Sequence, residues 1–262
     1  MLGAIIGDII GSRFEWNNIK TKDFELFHPS CDFTDDSVLT IAVAKALLTS
    51  REDFSDLTDN TVKFLQEFGN NYPNRGYGVH FLGWLKADEP LPYNSWGNGS
   101  AMRVSACGWI GKDLEEVKRL SRLVTEVSHN HPEGIKGAEA TAVAIFLARN
   151  GAEIDEIRDV MMANYYNVDF TLDEIRPNYR FDVSCQGSVP QALVAFFEST
   201  DFEDAIRNAI SIGGDSDTIA AITGSIAETY YGIPEEIKQQ GLNFLTDELQ
   251  TVLREFNEKI SL

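Results

Sequence analysis

Apolar positions recur at helical spacing in one stretch of the chain after another, whereas the strict alternation that marks strands is nearly absent. Three stretches are apolar almost all round and predict buried helices starting at Ser37, Gly137 and Asp217. Others carry a one-sided stripe. Between Asp53 and Asn70 the stripe is Leu57, Val62, Phe64, Leu65 and Phe68, with Gly69 and Asn70 as the stop. Residues 112–127 repeat it with Leu114, Val117, Leu120, Leu123, Val124 and Val127, and residues 154–165, 202–212, 235–244 and 246–260 behave alike. A short helix is expected around 81–85, another starting near 101–104, and a loop feeding a helix over 181–193. Residues 16–30 and 167–180 lack a period and read as irregular. About ten helical stretches joined by short turns predict an all-α fold: one compact multi-helix domain over residues 1–262, built on the buried helices.

The first eleven residues place Gly3, Gly7 and Gly11 four apart in an otherwise apolar run. Asp8 interrupts that run and Arg13 ends it, well short of the roughly 20 residues a membrane span needs, and no basic segment precedes it. We therefore expect neither a signal peptide nor a membrane anchor. The glycines instead let the helix lie close against another, which leaves Asp8 as a buried acid in need of partners. Glu15 follows Asp8 by seven residues, so the two share a face if the helix persists that far.

Composition narrows the function classes. The chain has 262 residues, 43% of them hydrophobic, and no Ser/Gly/Pro-rich linker, which is consistent with one sizeable core. A formal charge of -19 argues against stable nucleic-acid binding, which depends on Lys and Arg displacing counterions, but not against a nucleotide-like ligand held in a pocket. Cys31, Cys107 and Cys185 are odd in number, far apart and form no C-x-x-C, so neither a disulfide framework nor a zinc site is indicated, and a reducing cytoplasm is expected.

The chemistry concentrates at two helix mouths. Phe33-Thr34-Asp35-Asp36-Ser37 opens one buried helix and Gly213-Gly214-Asp215-Ser216-Asp217-Thr218 opens another. Capping of the free N–H groups accounts for either segment taken alone. One carboxylate satisfies a cap, however, and each segment carries two beside a Thr. Carboxylates crowded away from water repel one another or take up protons unless a cation lies among them. Four Asp and two Thr are hard donors suited to Mg²⁺, Mn²⁺ or Ca²⁺, and together they suffice for two ions. Elsewhere, Gly97 and Gly99 flank Asn98 in a loop whose backbone N–H groups can approach a phosphate. His129 and His131, two apart before Pro132, make poor zinc ligands, and His28 and His80 read as packing or surface residues.

Taken in order with Gly7-Asp8-Ile9-Ile10-Gly11-Ser12-Arg13-Phe14-Glu15, Ser95-Trp96-Gly97-Asn98-Gly99-Ser100-Ala101-Met102-Arg103 and Ser128-His129-Asn130-His131-Pro132-Glu133-Gly134, the two mouths resemble the ADP-ribosylglycohydrolase family. That family includes the dinitrogenase reductase-activating glycohydrolases and ADP-ribosylarginine hydrolases, and the resemblance runs to about Gly232. It implies an all-helical enzyme with two Mg²⁺ or Mn²⁺ ions that removes ADP-ribose from a modified side chain of a protein or from a small conjugate, with arginine the expected linkage. By the same resemblance, Thr34, Asp35, Asp36, Asp215, Asp217 and Thr218 hold the metal pair, and Asp36 with Glu15 is catalytic. Ser95, Gly97, Asn98, Gly99, Ser100 and Met102 would cradle diphosphate and ribose, His129 would contact ligand, and Gln186 and Ser188 would lie on the rim. Ser100 stands where the family often has glycine, a departure expected to be tolerated. Two other readings share the residues: an ADP-ribose-binding protein without turnover, and a two-metal phosphohydrolase.

Overall fold

The all-α expectation holds in the computed structural model, which describes residues 1–261. Its first third contains α1 (Leu2–Ser12), α2 (Asp35–Thr49), α3 (Leu57–Asn71), α4 (Val79–Leu85) and α5 (Gly99–Met102). The middle runs through α6 (Ser105–Ile110), α7 (Leu114–Thr125), α8 (Pro132–Arg149), α9 (Ile154–Asn164) and α10 (Leu172–Ile175). The last part holds α11 (Cys185–Phe197), α12 (Phe202–Ser211), α13 (Ser216–Tyr231), α14 (Glu235–Leu242) and α15 (Asp247–Ile260). Among the described residues, strand-type pairing amounts to an isolated bridge between Gly97 and Ser184.

Among the described residues the helices number fifteen and exceed the expected ten mainly because α5, α6 and α10, of four, six and four residues, are too short to show a period. Two of the buried helices also start earlier than their apolar runs. Thr34 caps α2 by accepting a hydrogen bond from the Asp36 N–H at 3.2 Å, so both acids fall in its first turn. His131, set aside above as a zinc ligand, caps α8 through its ring Nδ1, 3.1 Å from the Glu133 N–H.

The core is layered around α13, against which α1, α8, α11 and α12 pack. Residues 216–227 of α13 are buried, as are the first ten of α1. The glycine stripe sets how near these two helices come. A Cβ on Gly3 would lie 2.2 Å from the Gly224 carbonyl oxygen, and one on Gly7 would lie 2.1 Å from that of Ala220. Gly11 would meet the Asp217 Cα at 2.6 Å, so no side chain fits at any of the three. The contact carries Asp8 to the mouth of α2 and holds α1 beside the mouth of α13.

Candidate metal and ligand site

Asp8 is fully buried and receives donors from the next helix: Thr34 N–H at 2.9 Å, Thr34 Oγ1 at 2.6 Å, Ser37 N–H at 3.1 Å and the Ser37 hydroxyl. It thus completes the capping of α2 from outside, which answers the need for partners. Burial raises its pKa to about 6 even though these donors oppose the shift. Across the cleft, the Thr218 hydroxyl on α13 donates to Asp36 Oδ2 at 3.2 Å, tying the two helix mouths together. Asn98 reaches in from the glycine loop, its Nδ2 donating to Asp215 Oδ2 at 2.6 Å and to Ser188 Oγ at 3.0 Å.

Two overlapping groups of acids result. Asp8, Asp36 and Asp217 each present an oxygen within 4.8 Å of the others, and so do Glu15, Asp215 and Asp217. Asp217 belongs to both. Helix α1 ends at Ser12, before Glu15, so that side chain does not share a helical face with Asp8; the turn after α1 brings it to the same place. Burial, followed by the neighbouring charge of Asp8 and other acids, pushes the carboxyls of Asp35 and Asp36 well above their ordinary range. Burial and then Asp215 do the same to Asp217, and burial with Asp215 and Asp8 raises Glu15 to about 7. Asp215 is raised by burial, with Asn98 working against it. Asp36 Oδ1 and Asp217 Oδ1 are buried with no hydrogen-bond partner. Two unpartnered, crowded carboxylate oxygens from different helices are what a hard divalent cation requires, so the donor set fits Mg²⁺, Mn²⁺ or Ca²⁺.

All of these acids except Asp8 line a cavity of about 550 Å³. Of the residues expected to hold metal, Asp35, Asp36, Asp215, Asp217 and Thr218 line it, while Thr34 lies behind, with its hydroxyl engaged by Asp8 and the Asp36 N–H. Glu15, Ser95, Gly97, Asn98, Gly99, Met102 and His129 line it as well. Three expected ligand contacts do not. Gln186 is exposed outside the cavity; Ser188 is buried behind Asn98; and Ser100 is buried, its hydroxyl donating to the Gly134 carbonyl at 2.8 Å. The helix expected after the glycine loop is only the single turn α5, too short for a strong dipole.

The structure adds residues that sequence periodicity did not single out. Tyr77, Phe81 and Tyr93 line the cavity from irregular or short segments, and His80 and Arg103 join them. Trp16 and Phe181 stack at the rim, with ring centres 5.1 Å apart and Trp16 76% exposed. Asp8 was recognisable as buried but not as a candidate ligand.

A family model described as ADP-ribosylglycohydrolase matches residues 1–261. Similar curated proteins include ADP-ribosylhydrolase ARH3 of Homo sapiens, 26% identical over 91% of this chain and 87% of its own length. The ARH3 of Gallus gallus is 25% identical over 88% and 84%, respectively. ADP-ribosylarginine hydrolase Tri1 of Pseudomonas putida (strain GB-1) is 23% identical over 89% of this chain and 70% of its own. A solved structure titled ADP-ribosylglycohydrolase-related protein complex superposes with a TM-score of 0.69 at 22% identity, covering 100% of this chain and 97% of the other, which establishes a shared fold.

Proposed function

The chain belongs to the ADP-ribosylglycohydrolase family, and from that premise we propose that it is a metal-dependent hydrolase cleaving the glycosidic bond between ADP-ribose and a modified side chain, with arginine as the preferred linkage. The observation that carries this reading is the pair of acid groups sharing Asp217 on the wall of a cavity that also contains the Gly97-Asn98-Gly99 loop. Asp35, Asp36, Asp215, Asp217 and Thr218 would hold two Mg²⁺ or Mn²⁺ ions, with Asp8 and Glu15 close enough to join and Thr34 supporting from behind. Bound there, the ions supply charge that fixes the ribose hydroxyls and lowers the pKa of a water.

The remaining work falls to the chain. Asp36, with Oδ2 accepting from the Thr218 hydroxyl, is the carboxylate that takes a proton from the attacking water. The water oxygen bonds to the anomeric carbon as the bond from that carbon to the leaving nitrogen breaks, and its electron pair departs with the guanidine. The surrounding carboxylates stabilise the oxocarbenium-like charge that develops on the sugar. Glu15, raised to about 7 by burial and then by Asp215 and Asp8 in the metal-free protein, stands next to Asp215 and Asp217. Asn98 couples the glycine loop to Asp215, linking the place for a diphosphate to the place for ribose.

Three observations support the arginine linkage: the acids around Glu15, the exposed Trp16–Phe181 stack over which a guanidinium can lie, and the activity in the name of the Tri1 relative. Product analysis on arginine-, serine- and nucleic-acid-linked ADP-ribose, with Mg²⁺ and with Mn²⁺, tests both levels. Free ADP-ribose supports a glycohydrolase, AMP or phosphate supports a phosphohydrolase, and unchanged conjugate supports a binder. Turnover of the serine or nucleic-acid conjugate alone would remove the arginine assignment and leave the rest.

A further inference from the structure

Arg103 is fully buried, and among the described residues no carboxylate pairs with it. Its Nη2 donates to Ser128 Oγ at 2.9 Å and to the Val124 carbonyl at 3.3 Å, while Nε and Nη1 have no partner. The Ser128 hydroxyl, also fully buried, lies 2.8 Å from Nδ1 of His129. His129 is held by its backbone N–H to the Thr125 carbonyl at 2.9 Å, and its ring sits near those of Phe81 and Tyr93, which line the same cavity. Its other nitrogen, Nε2, faces the glycine loop: a Cβ on Gly99 would lie 3.4 Å from it and one on Gly97 would lie 3.6 Å from it. The missing side chains leave room for a ligand beside Nε2.

Proton counting assigns the ring. A guanidinium only donates, so Ser128 Oγ accepts from Arg103 and retains its own proton. The neighbour positioned to accept that proton is Nδ1 of His129. If Nδ1 instead carried a hydrogen, Ser128 would accept twice and its hydroxyl proton would be stranded in the interior, which a buried donor avoids wherever a partner is within reach. A doubly protonated ring is opposed by burial and then by Arg103, which together hold the His129 pKa well below its ordinary value.

We infer that Arg103 and Ser128 are positioning residues that fix His129 as a neutral imidazole with its proton on Nε2, a donor aimed at the Gly97–Gly99 loop where the diphosphate of an ADP-ribosyl ligand rests. The inference depends on the ADP-ribose reading for the ligand's place but not for the state of the ring. The guanidinium, which lines the same cavity, adds positive charge that favours a diphosphate there.

The test combines a spectroscopic signature with binding. In ¹⁵N-labelled wild-type protein, the His129 signals, assigned by their loss in His129→Gln, should show an unprotonated Nδ1 and a protonated Nε2 that do not change between pH 5.5 and 8. Ser128→Ala should average the two nitrogens and weaken ADP about tenfold, the usual worth of one hydrogen bond to a charged group, with adenosine affinity unchanged. Ser128→Thr should restore both readouts, which a purely structural role for the hydroxyl does not predict. A protonated Nδ1 in the wild type, or an unaltered ADP affinity in a folded Ser128→Ala variant, would overturn the inference. If the ring state and ADP effects appear but no ADP-ribosyl conjugate is hydrolysed, the positioning role stands and the glycohydrolase reading falls alone.

Discussion

Asp36 has one oxygen fixed by Thr218 and the other buried without a partner, two environments within a single carboxylate. Changing it to Asn keeps an oxygen for the Thr218 hydroxyl and removes the charge. The expected result is a fall in turnover of about 10²–10⁴-fold, the usual contribution of a general base, with ADP-ribose affinity held within about threefold at saturating Mg²⁺ because ground-state contacts persist. Single-turnover hydrolysis beside a binding titration measures both, and an equal loss in the two would make Asp36 a ligand or structural group and not a base. The same substitution carries a second expectation of opposite sign. In the metal-free protein it removes a like charge from the crowd that, after burial, raises Asp217, so the chelated variant should melt above the chelated wild type.

At the level of helices, the α1–α13 contact sets where the acids stand. Gly7→Ala places a methyl 2.1 Å from a backbone oxygen that cannot rotate away, so α1 must lift off α13. Overpacking usually costs about 1–3 kcal/mol, and a clash with backbone belongs at the upper end; denaturant unfolding should show a loss of about 3 kcal/mol, and Mg²⁺ affinity should fall because Asp8 moves with α1. Gly83→Ala is the control, since a Cβ there meets nothing within 4 Å in the interior of α4; it should be neutral or stabilise by the usual increment of about 0.5–1 kcal/mol. Similar losses at both positions would mean that the glycine stripe does not set the spacing. The stripe itself was legible in the sequence because its four-residue period is local, and so were the two oxygen-rich helix mouths. What Asp8 does was not, because its partners lie 26 and 29 residues away and nothing local announces the pairing. The aromatic wall of Tyr77, Phe81 and Tyr93 comes from segments too short or irregular to show a period, and Arg103 was hidden by residue type, since an arginine is assigned to the surface unless a structure buries it.

For the molecule as a whole, the site costs stability unless a cation occupies it, and the sign of its pH dependence follows. Asp8 at about 6 and Glu15 at about 7 lie above their ordinary values of 3.8 and 4.5, so between those limits the folded protein holds protons that the unfolded chain has released. Stability therefore falls as pH rises through this window in the absence of metal, and the contribution is fully lost above the higher value. The ordinary surface acids behind the charge of -19 are already ionised by pH 5.5, so they contribute little to a difference between pH 5.5 and 8. EDTA-treated protein should thus melt lower at pH 8 than at pH 5.5, and Mg²⁺ should raise Tm more at pH 8, where the carboxylates are free of protons. Salt screens the surface charge as well, so the comparison requires NaCl at matched ionic strength, against which the Mg²⁺ increment should persist. Turnover should disappear on chelation and return with Mg²⁺ or Mn²⁺. Hydrolysis at the original rate after EDTA, or equal gains in Tm from NaCl and Mg²⁺ at both pH values, would show that the acids at the two helix mouths serve as caps and hold no ion.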